Sequence, residues 1–263
     1  MNVILSIART TVGEAIRRRV LLVILLIGVL FLIIAPGLSV LSARQSYTVL
    51  VSLTLGVIQM TSAVIAIVLT VYLIPNEIDR RTIYTILSKP VQRWQFLLGK
   101  YFGAVTALAL MMALMTMTLL IVFKVMRPEA PISQISTLAQ VPLMFFVQMC
   151  LLAAVAIFFS TFVSPIVNFF LSGGTYLVGS LFNSVFEVIG NNQQLSPVVK
   201  GAATIIHTIV PNFQNFNVQN PAINPGQVIR NEALHYVNLG AYALFYVAIL
   251  LIFGILIFDR REV

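Results

Sequence analysis

The sequence has very little charge. Only 9% of its 263 residues are Asp, Glu, Lys or Arg, whereas 59% are hydrophobic, and the mean hydropathy is +1.00. Soluble globular domains carry about a quarter charged residues, and disordered chains have few apolar ones. The composition therefore excludes both classes and indicates a membrane protein.

Residues that carry catalysis or bind metals are also scarce. The chain has one cysteine and two histidines, and it contains no HExxH metal motif and no phosphate-binding glycine-rich loop. Cys150 cannot form a disulfide within the chain, and we expect it to pack as a small apolar side chain. We therefore expect no catalytic residue, no metal and no cofactor, and we predict that the chain is not an enzyme.

Ser172 belongs to two patterns that suggest chemistry, and both are rejected. The stretch 171–174 reads Leu-Ser-Gly-Gly, like the start of an ATPase signature, but it lies inside an apolar run. A serine protease would need a base within hydrogen-bond reach of the hydroxyl, and His207 and His235 both fall outside the spans. We expect small residues here to allow helix packing or a bend.

Six apolar runs are long enough to cross a bilayer, which requires about 20 residues. A backbone in lipid must satisfy its own hydrogen bonds, so each run is expected to be a helix. The fold class predicted is an all-α polytopic membrane protein in which residues 1–263 form a single domain. The predicted spans are Val20–Val40, Tyr47–Ile74, Phe96–Phe123, Val141–Phe162, Pro165–Val188 and Tyr236–Phe258.

The predicted spans contain no acidic or basic residue near their centres. Lys100 and Lys124 lie near span ends, where a lysine can extend its ammonium to water, and Glu187 lies at an outer end. Intramembrane proton and ion relays use central charged residues, so a relay is not expected. If the protein moves a solute uphill, we expect the energy to enter from outside the spans.

The distribution of basic residues predicts the topology. With the N-terminus in the cytoplasm, most of the 16 Lys and Arg residues are cytoplasmic, which satisfies the positive-inside rule and makes a nucleic-acid partner unnecessary. The external ones are Arg44, Lys124, Arg127, Lys200 and Arg230. Six spans place both termini inside, and we predict a multi-pass membrane protein. The first apolar run is longer than the core of a cleaved signal peptide, about 7–15 residues, so an uncleaved anchor is favoured.

Three segments outside the span centres have predicted structures. Residues 1–19 have helical apolar spacing, which indicates an interfacial helix, although a simple extension of the first span is an alternative. In the external segment, residues 189–235, a short helix from Ser196 to Pro211 is expected to dip into the outer leaflet or to cap a cavity, and Asn212–Glu232 is expected to form a polar outer loop. Gly99 and Gly103 form a small-xxx-small pattern that permits close helix approach, as at a dimer seam.

A short stretch between the second and third spans, residues 76–93, concentrates charge. Asn76 can cap a helix there and Pro90 can end it. Ile83, Ile86 and Leu87 form its narrow apolar face. Its charged residues are Glu77, Asp79, Arg80, Arg81, Lys89 and Arg93. We predict that this helix contacts a cytosolic partner, the alternative being a solvated loop that only sets topology.

The run Pro75–Gly103 resembles the cytoplasmic loop of type-2 ABC transporter permeases. The resemblance rests on acidic residues, then Thr82, Leu-Ser-Lys-Pro-Val over 87–91, Arg93, and Leu-Gly-Lys over 98–100 with a second glycine. The ending Phe-Asp-Arg-Arg-Glu over 258–262 is similar to the charged C-terminus of that family. The resemblance implies the type-2 ABC exporter fold in a bacterial inner membrane, with two permease subunits and two separate cytosolic ATPases that bind the ATP.

The resemblance also implies roles for particular residues. Residues 76–89 would be the coupling helix, and spans one, two and five would line the path. Contact with the ATPase would come from Glu77, Asp79, Arg80 and Arg81, and anchoring of the helix from Ile83, Ile86 and Leu87. Two alternatives remain at this stage. One is a membrane scaffold that docks a cytosolic and a periplasmic partner without transport, and the other is a passive channel.

Overall fold

The structure, a computed structural model, describes residues 2–40, 46–75, 77, 92–181, 186, 196, 198, 201, 203–204, 209–217 and 232–260. Within these residues the chain forms helices and no strand, which confirms the all-α prediction. The helices are α1 (Asn2–Arg17), α2 (Arg19–Val40), α3 (Ser46–Val71), α4 (Arg93–Met126), α5 (Ile132–Ser160), α6 (Pro165–Ser180) and α7 (Glu232–Arg260), with a short 3-10 helix at Gln214–Phe216.

Five of the described helices, α2, α3, α4, α5 and α7, are long and apolar enough to cross a membrane. They correspond to five of the six predicted spans. The remaining predicted span, Pro165–Val188, is described as helix only over the 16 residues of α6. Residues 182–185, 187 and 188 lie outside the described residues, so the sixth span stays a prediction.

Two helices extend beyond their apolar runs. The 34 residues of α4 measure about 51 Å along the axis, which exceeds a hydrocarbon core of about 30 Å. The helix α5 begins at Ile132, nine residues before the predicted span. Hydropathy locates the part of a helix that lies in lipid, and backbone hydrogen bonding continues the helix past that part.

The helix α5 lies at the centre of the bundle. It packs against α3, α4, α6 and α7. In its most apolar stretch of 18 residues 72% of the residues are buried, whereas 22% are buried in the corresponding stretch of α2. The helix α2 packs against α3 and α4 from outside. Gly28 makes this contact close, because a Cβ there would lie 2.7 Å from Cγ2 of Thr61.

The helix α1 is separate from α2. The α-helical run is interrupted at Arg18, and α1 packs mainly along α4. The alternative of a straight extension of the first span is therefore wrong. The start of α4 and the last turn of α7 lie at the same end of the bundle as α1, since Arg93 contacts Phe258. We call this end the α1 end, and the other the opposite end.

Candidate functional site

Of the predicted site residues, the structure describes Glu77. The other six lie outside the described residues: Asp79, Arg80, Arg81, Ile83, Ile86 and Leu87. Glu77 follows a turn at the end of α3, in which the Leu73 amide donates to the Thr70 carbonyl and the Glu77 amide donates to the Ile74 carbonyl, both at 3.1 Å. Leu73 and Ile74 are buried, so this turn is fixed to the bundle.

Glu77 is paired with a lysine of α4. The Nζ of Lys100 donates to Oε1 of Glu77 at 2.7 Å and lies 3.6 Å from Oε2 of Glu14 in α1. The side chain of Lys100 is only 3% exposed, and that of Glu77 is 14% exposed. The expectation that Lys100 extends to water is therefore wrong, because two carboxylates supply its counter-ions inside the protein. We call Lys100, Glu77 and Glu14 the ionic cluster.

Glycines on both sides of Lys100 bring α1 against the backbone of α4. A Cβ at Gly99 would lie 2.8 Å from Cβ of Ile7, and one at Gly103 would lie 2.5 Å from Cβ of Thr11. These distances leave no room for a side chain. The small-xxx-small pattern thus serves contact within the chain, and this face is not available as the dimer seam.

The last turn of α7 joins the same end. The Nη1 of Arg93 donates to the carbonyls of Phe258 and Asp259, each at 2.9 Å. These are carbonyls at the C-terminus of a helix, where a cation is favoured. Phe96 stacks on Phe258 with ring centroids 6.2 Å apart, and Nζ of Lys100 lies 5.8 Å from the Phe96 ring.

The opposite end is held by a segment that inserts into the bundle, residues 211–217. Phe213 and Phe216 have no exposed surface. Nε2 of Gln148 donates to the Phe213 carbonyl at 2.9 Å, and the Asn212 amide donates to the Tyr242 hydroxyl at 2.8 Å. The expectation of a polar outer loop from Asn212 is wrong over 212–217, since two aromatic rings in this Asn-rich stretch are buried between helices.

The external helix predicted for Ser196–Pro211 is described only in part. Positions 198, 201, 203, 204 and 209 are helical, and the helix has ended by Pro211. Its contact with the outer leaflet remains a prediction. The next described residues pack on α6, where a Cβ at Gly179 would lie 2.6 Å from the Pro211 carbonyl.

Neutral polar side chains join α3, α5 and α6 in the bundle interior. Nε2 of Gln59 donates to Oε1 of Gln148 at 3.4 Å, and Nδ2 of Asn168 donates to the Ala156 carbonyl at 2.9 Å. The Ser172 hydroxyl donates to Oδ1 of Asn168 at 2.8 Å and is fully buried. This hydroxyl bond lies within α6, and a Cβ at Gly173 or Gly174 would meet open space, so the expectation that these glycines allow close helix packing is wrong. The described residues contain no group of three potential metal ligands.

Two apolar grooves run along the sides of the bundle. One, of about 530 Å³, lies between α2 and α3, where Ser52 and Thr61 contribute the hydroxyl groups among its lining residues. The other, of about 680 Å³, lies between α4, α5 and α7 and is lined by residues such as Tyr101, Cys150 and Leu251. Both grooves lie on the lateral surface of the bundle.

Sequence reasoning missed the ionic cluster. Hydropathy gives the depth of Lys100 along its helix but not the face on which its side chain lies. A signal was present, since Lys100 is flanked by two glycines that mark a packed face, and Glu14 stands among apolar residues of an amphipathic helix. Together, these two features of the sequence predict a buried cation at the contact with a second helix.

Comparison with protein-family models matches residues 5–263 to the family described as ABC-2 family transporter protein. The match covers nearly the whole chain and includes both ends of the bundle. Comparison with curated proteins returned no match.

Proposed function

Because the chain belongs to the ABC-2 transporter family, whose members are the membrane permease components of ABC transporters and are not catalytic themselves, we propose that it is the permease subunit of an exporter. A separate cytosolic ATPase would bind and hydrolyse the ATP. The observation that carries this proposal is the family match over residues 5–263. The ionic cluster is consistent with it, because it fixes the base of the charged segment 76–93 to two helices of the bundle.

The coupling segment would be residues 76–93, on the cytoplasmic side together with both termini. Asp79, Arg80 and Arg81 would contact the ATPase, and Ile83, Ile86 and Leu87 would anchor the coupling helix, in the proposed scheme. The carboxylate of Glu77 is bound by Lys100 inside the protein. Its part in coupling would be to hold the segment at its base.

The proposed path runs along spans one, two and five. The groove between α2 and α3 supports this, because it offers about 530 Å³ of space with hydroxyl groups at Ser52 and Thr61. The helix α6, which is the described part of the fifth predicted span, also packs against α3. Two copies of the chain would face each other across this path in a homodimer of a bacterial inner membrane, where the external segment could hold a periplasmic partner.

The experiment that tests the proposal reverses charge in the coupling segment. The variant carries D79K, R80E and R81E, and Glu77 is left unchanged because a lysine there would meet the buried Lys100. We expect the permease to insert normally and to lose the co-purifying ATPase and ATP-dependent transport in vesicles. A matched control, E129K, reverses an exposed charge in the turn between α4 and α5 at the opposite end, and should retain both.

The result that would overturn the proposal is equally specific. If the triple variant keeps its ATPase and its ATP-dependent transport, residues 79–81 do not couple. If the wild-type permease holds cytosolic and periplasmic proteins but moves no solute when ATP is supplied, the scaffold alternative replaces the exporter.

A further inference from the structure

Lys100 is a cation with almost no contact with water. Its side chain is 3% exposed, and its two carboxylate partners come from separate parts of the chain, Glu14 from α1 and Glu77 from the turn after α3. A buried ammonium requires counter-ions because its removal from water is costly. One ammonium group therefore joins three segments, α1, α4 and the base of the charged segment.

The base of the charged segment is held by its backbone as well as by its side chain. The turn that carries Glu77 is closed by two amide–carbonyl hydrogen bonds of 3.1 Å. Ile74, just before it, is fully buried. Glu77 is therefore fixed to the bundle both by its backbone and by its carboxylate, so a displacement of the residues that follow it can reach Lys100 directly.

The helix α1 is held on both sides of the same lysine. Gly99 and Gly103 allow Ile7 and Thr11 to touch the backbone of α4, and Thr11 is fully buried. This contact fixes how close α1 lies to α4. The Glu14–Lys100 pair, which is charged and directional, adds a contact that also reaches Glu77.

We propose that Lys100 is a positioning residue that ties the base of the charged segment to α1, so that a push on residues 78–91 moves α1 together with α4. This rests on the proposed function for the source of the push, while the tie itself is a property of the permease alone. The best-attested role of buried ionic groups is to fix one arrangement of packed elements. Movement of the ATPase would thus be transmitted through Lys100 to the N-terminal helix α1.

The first test uses the permease alone in lipid nanodiscs, with hydrogen exchange read over residues 2–17. The variant K100M/E77Q removes both charges, so no unpaired buried ion remains to unfold the protein. We expect amides of α1 to exchange about tenfold faster, because α1 can open without the rest of the bundle. The control K124M makes the same substitution at an exposed lysine of α4 and should leave α1 unchanged.

A milder variant keeps the test decisive if K100M/E77Q does not fold. Glu14 has a side chain that is 49% exposed, so E14Q cannot leave a deeply buried charge of its own. We expect E14Q to speed exchange in α1 about threefold while residues 72–77 stay protected. Unchanged protection of α1 in E14Q, or in a folded K100M/E77Q, overturns the proposal.

The second test adds the ATPase subunit with ATP and vanadate. In the wild type we expect protection of α1 to change when the nucleotide is trapped. In K100M/E77Q, compared with the wild type at equal amounts of nucleotide-trapped ATPase, α1 should not respond. A purely structural lysine predicts the opposite, a full response of α1 once the double variant folds, and that result overturns the proposal. If the wild type retains no ATPase, the proposed function fails, whereas the nanodisc measurement still decides the role of Lys100.

Discussion

The two ends of the bundle are held together by different chemistry. At the α1 end, Lys100 is enclosed by two carboxylates and Arg93 is bound to the last carbonyls of α7. Segment 211–217 inserts from the opposite end toward the middle of α5, where Gln148, together with Tyr242 of α7, binds its backbone through neutral hydrogen bonds. The α1 end is thus joined by charge, and the opposite end by amide, hydroxyl and aromatic groups.

This difference bears on which end can move. Breaking a buried ion pair leaves an uncompensated charge, at a cost of about 3–5 kcal/mol, whereas a buried neutral group that loses its hydrogen-bond partner costs about 1–3 kcal/mol. Neutral contacts can therefore be broken and re-formed during a transport cycle at a lower free-energy cost than ion pairs. We expect the α1 end to move as a unit and the opposite end to open and close.

The largest effect is expected from the single variant K100M, which leaves the carboxylate of Glu77 without its ammonium. The free energy of unfolding should fall by about 3–5 kcal/mol, measured by unfolding titration in mixed micelles. The control K124M, at an exposed lysine whose Nζ contacts the Pro128 carbonyl, should change it by less than about 0.5 kcal/mol. Equal effects of the two substitutions would mean that the charge at position 100 is not held by the protein.

A smaller effect at the same end is expected from Gly103→Ala. The new Cβ would lie 2.5 Å from Cβ of Thr11 and 2.8 Å from the Ala8 carbonyl, so α1 must shift, at about 1–3 kcal/mol. The matched control is Gly173→Ala in α6, where a Cβ meets open space and alanine should stabilise the helix by about 0.5–1 kcal/mol. Unfolding midpoints of the two variants should therefore shift in opposite directions, and a shared direction would rule out the close α1–α4 contact.

The opposite end is tested by Gln148→Leu. This change removes the donor to the Phe213 carbonyl, which is left buried without that hydrogen bond, and should cost about 1–3 kcal/mol. Protease sensitivity of segment 211–217 should rise, because the segment loses its hold on α5. The control Gln140→Leu alters an exposed glutamine of the same helix. If protease cleaves segment 211–217 equally fast in the two variants, Gln148 does not hold the inserted segment in place.

The smallest effect is expected from Asp259→Asn. The carboxylate of Asp259 is 4.0 Å from Nε of Arg93 and its side chain is 71% exposed, so the pair should contribute at most about 1 kcal/mol. Arg93 keeps its bonds to the two backbone carbonyls. The unfolding midpoint should fall slightly at low salt and show no difference at high salt, where the pair is screened. A large effect that persists at high salt would show that this pair resembles the ionic cluster.

The elements predicted well from sequence are those that a single local property determines. A run of apolar residues such as Val20–Val40 becomes a helix because lipid leaves its backbone no other partners. Arg18 ends the first helical segment where the amphipathic pattern changes to an apolar one. The charged segment 76–93 and the family resemblance pointed to a permease, and the family match agrees.

The elements that were predicted wrongly depend on tertiary contacts. The direction of the Lys100 side chain is set by Glu14 and Glu77, which are distant in sequence. The insertion of segment 211–217 is set by Phe213 and Phe216, three residues apart, so that one turn buries both rings. Composition favoured a polar loop there because asparagines outnumber the aromatic residues, but the rings decide where the segment packs.

The proposed coupling is tested most directly by determining on which side of the membrane the charged segment lies. Cys150 would first be replaced by alanine, and single cysteines then placed at Ser88 and, at the opposite end, at Ser136. A membrane-impermeant maleimide should label S136C in intact spheroplasts and S88C only after lysis. Labelling of S88C before lysis would put the segment outside, where no ATP-driven subunit could reach it.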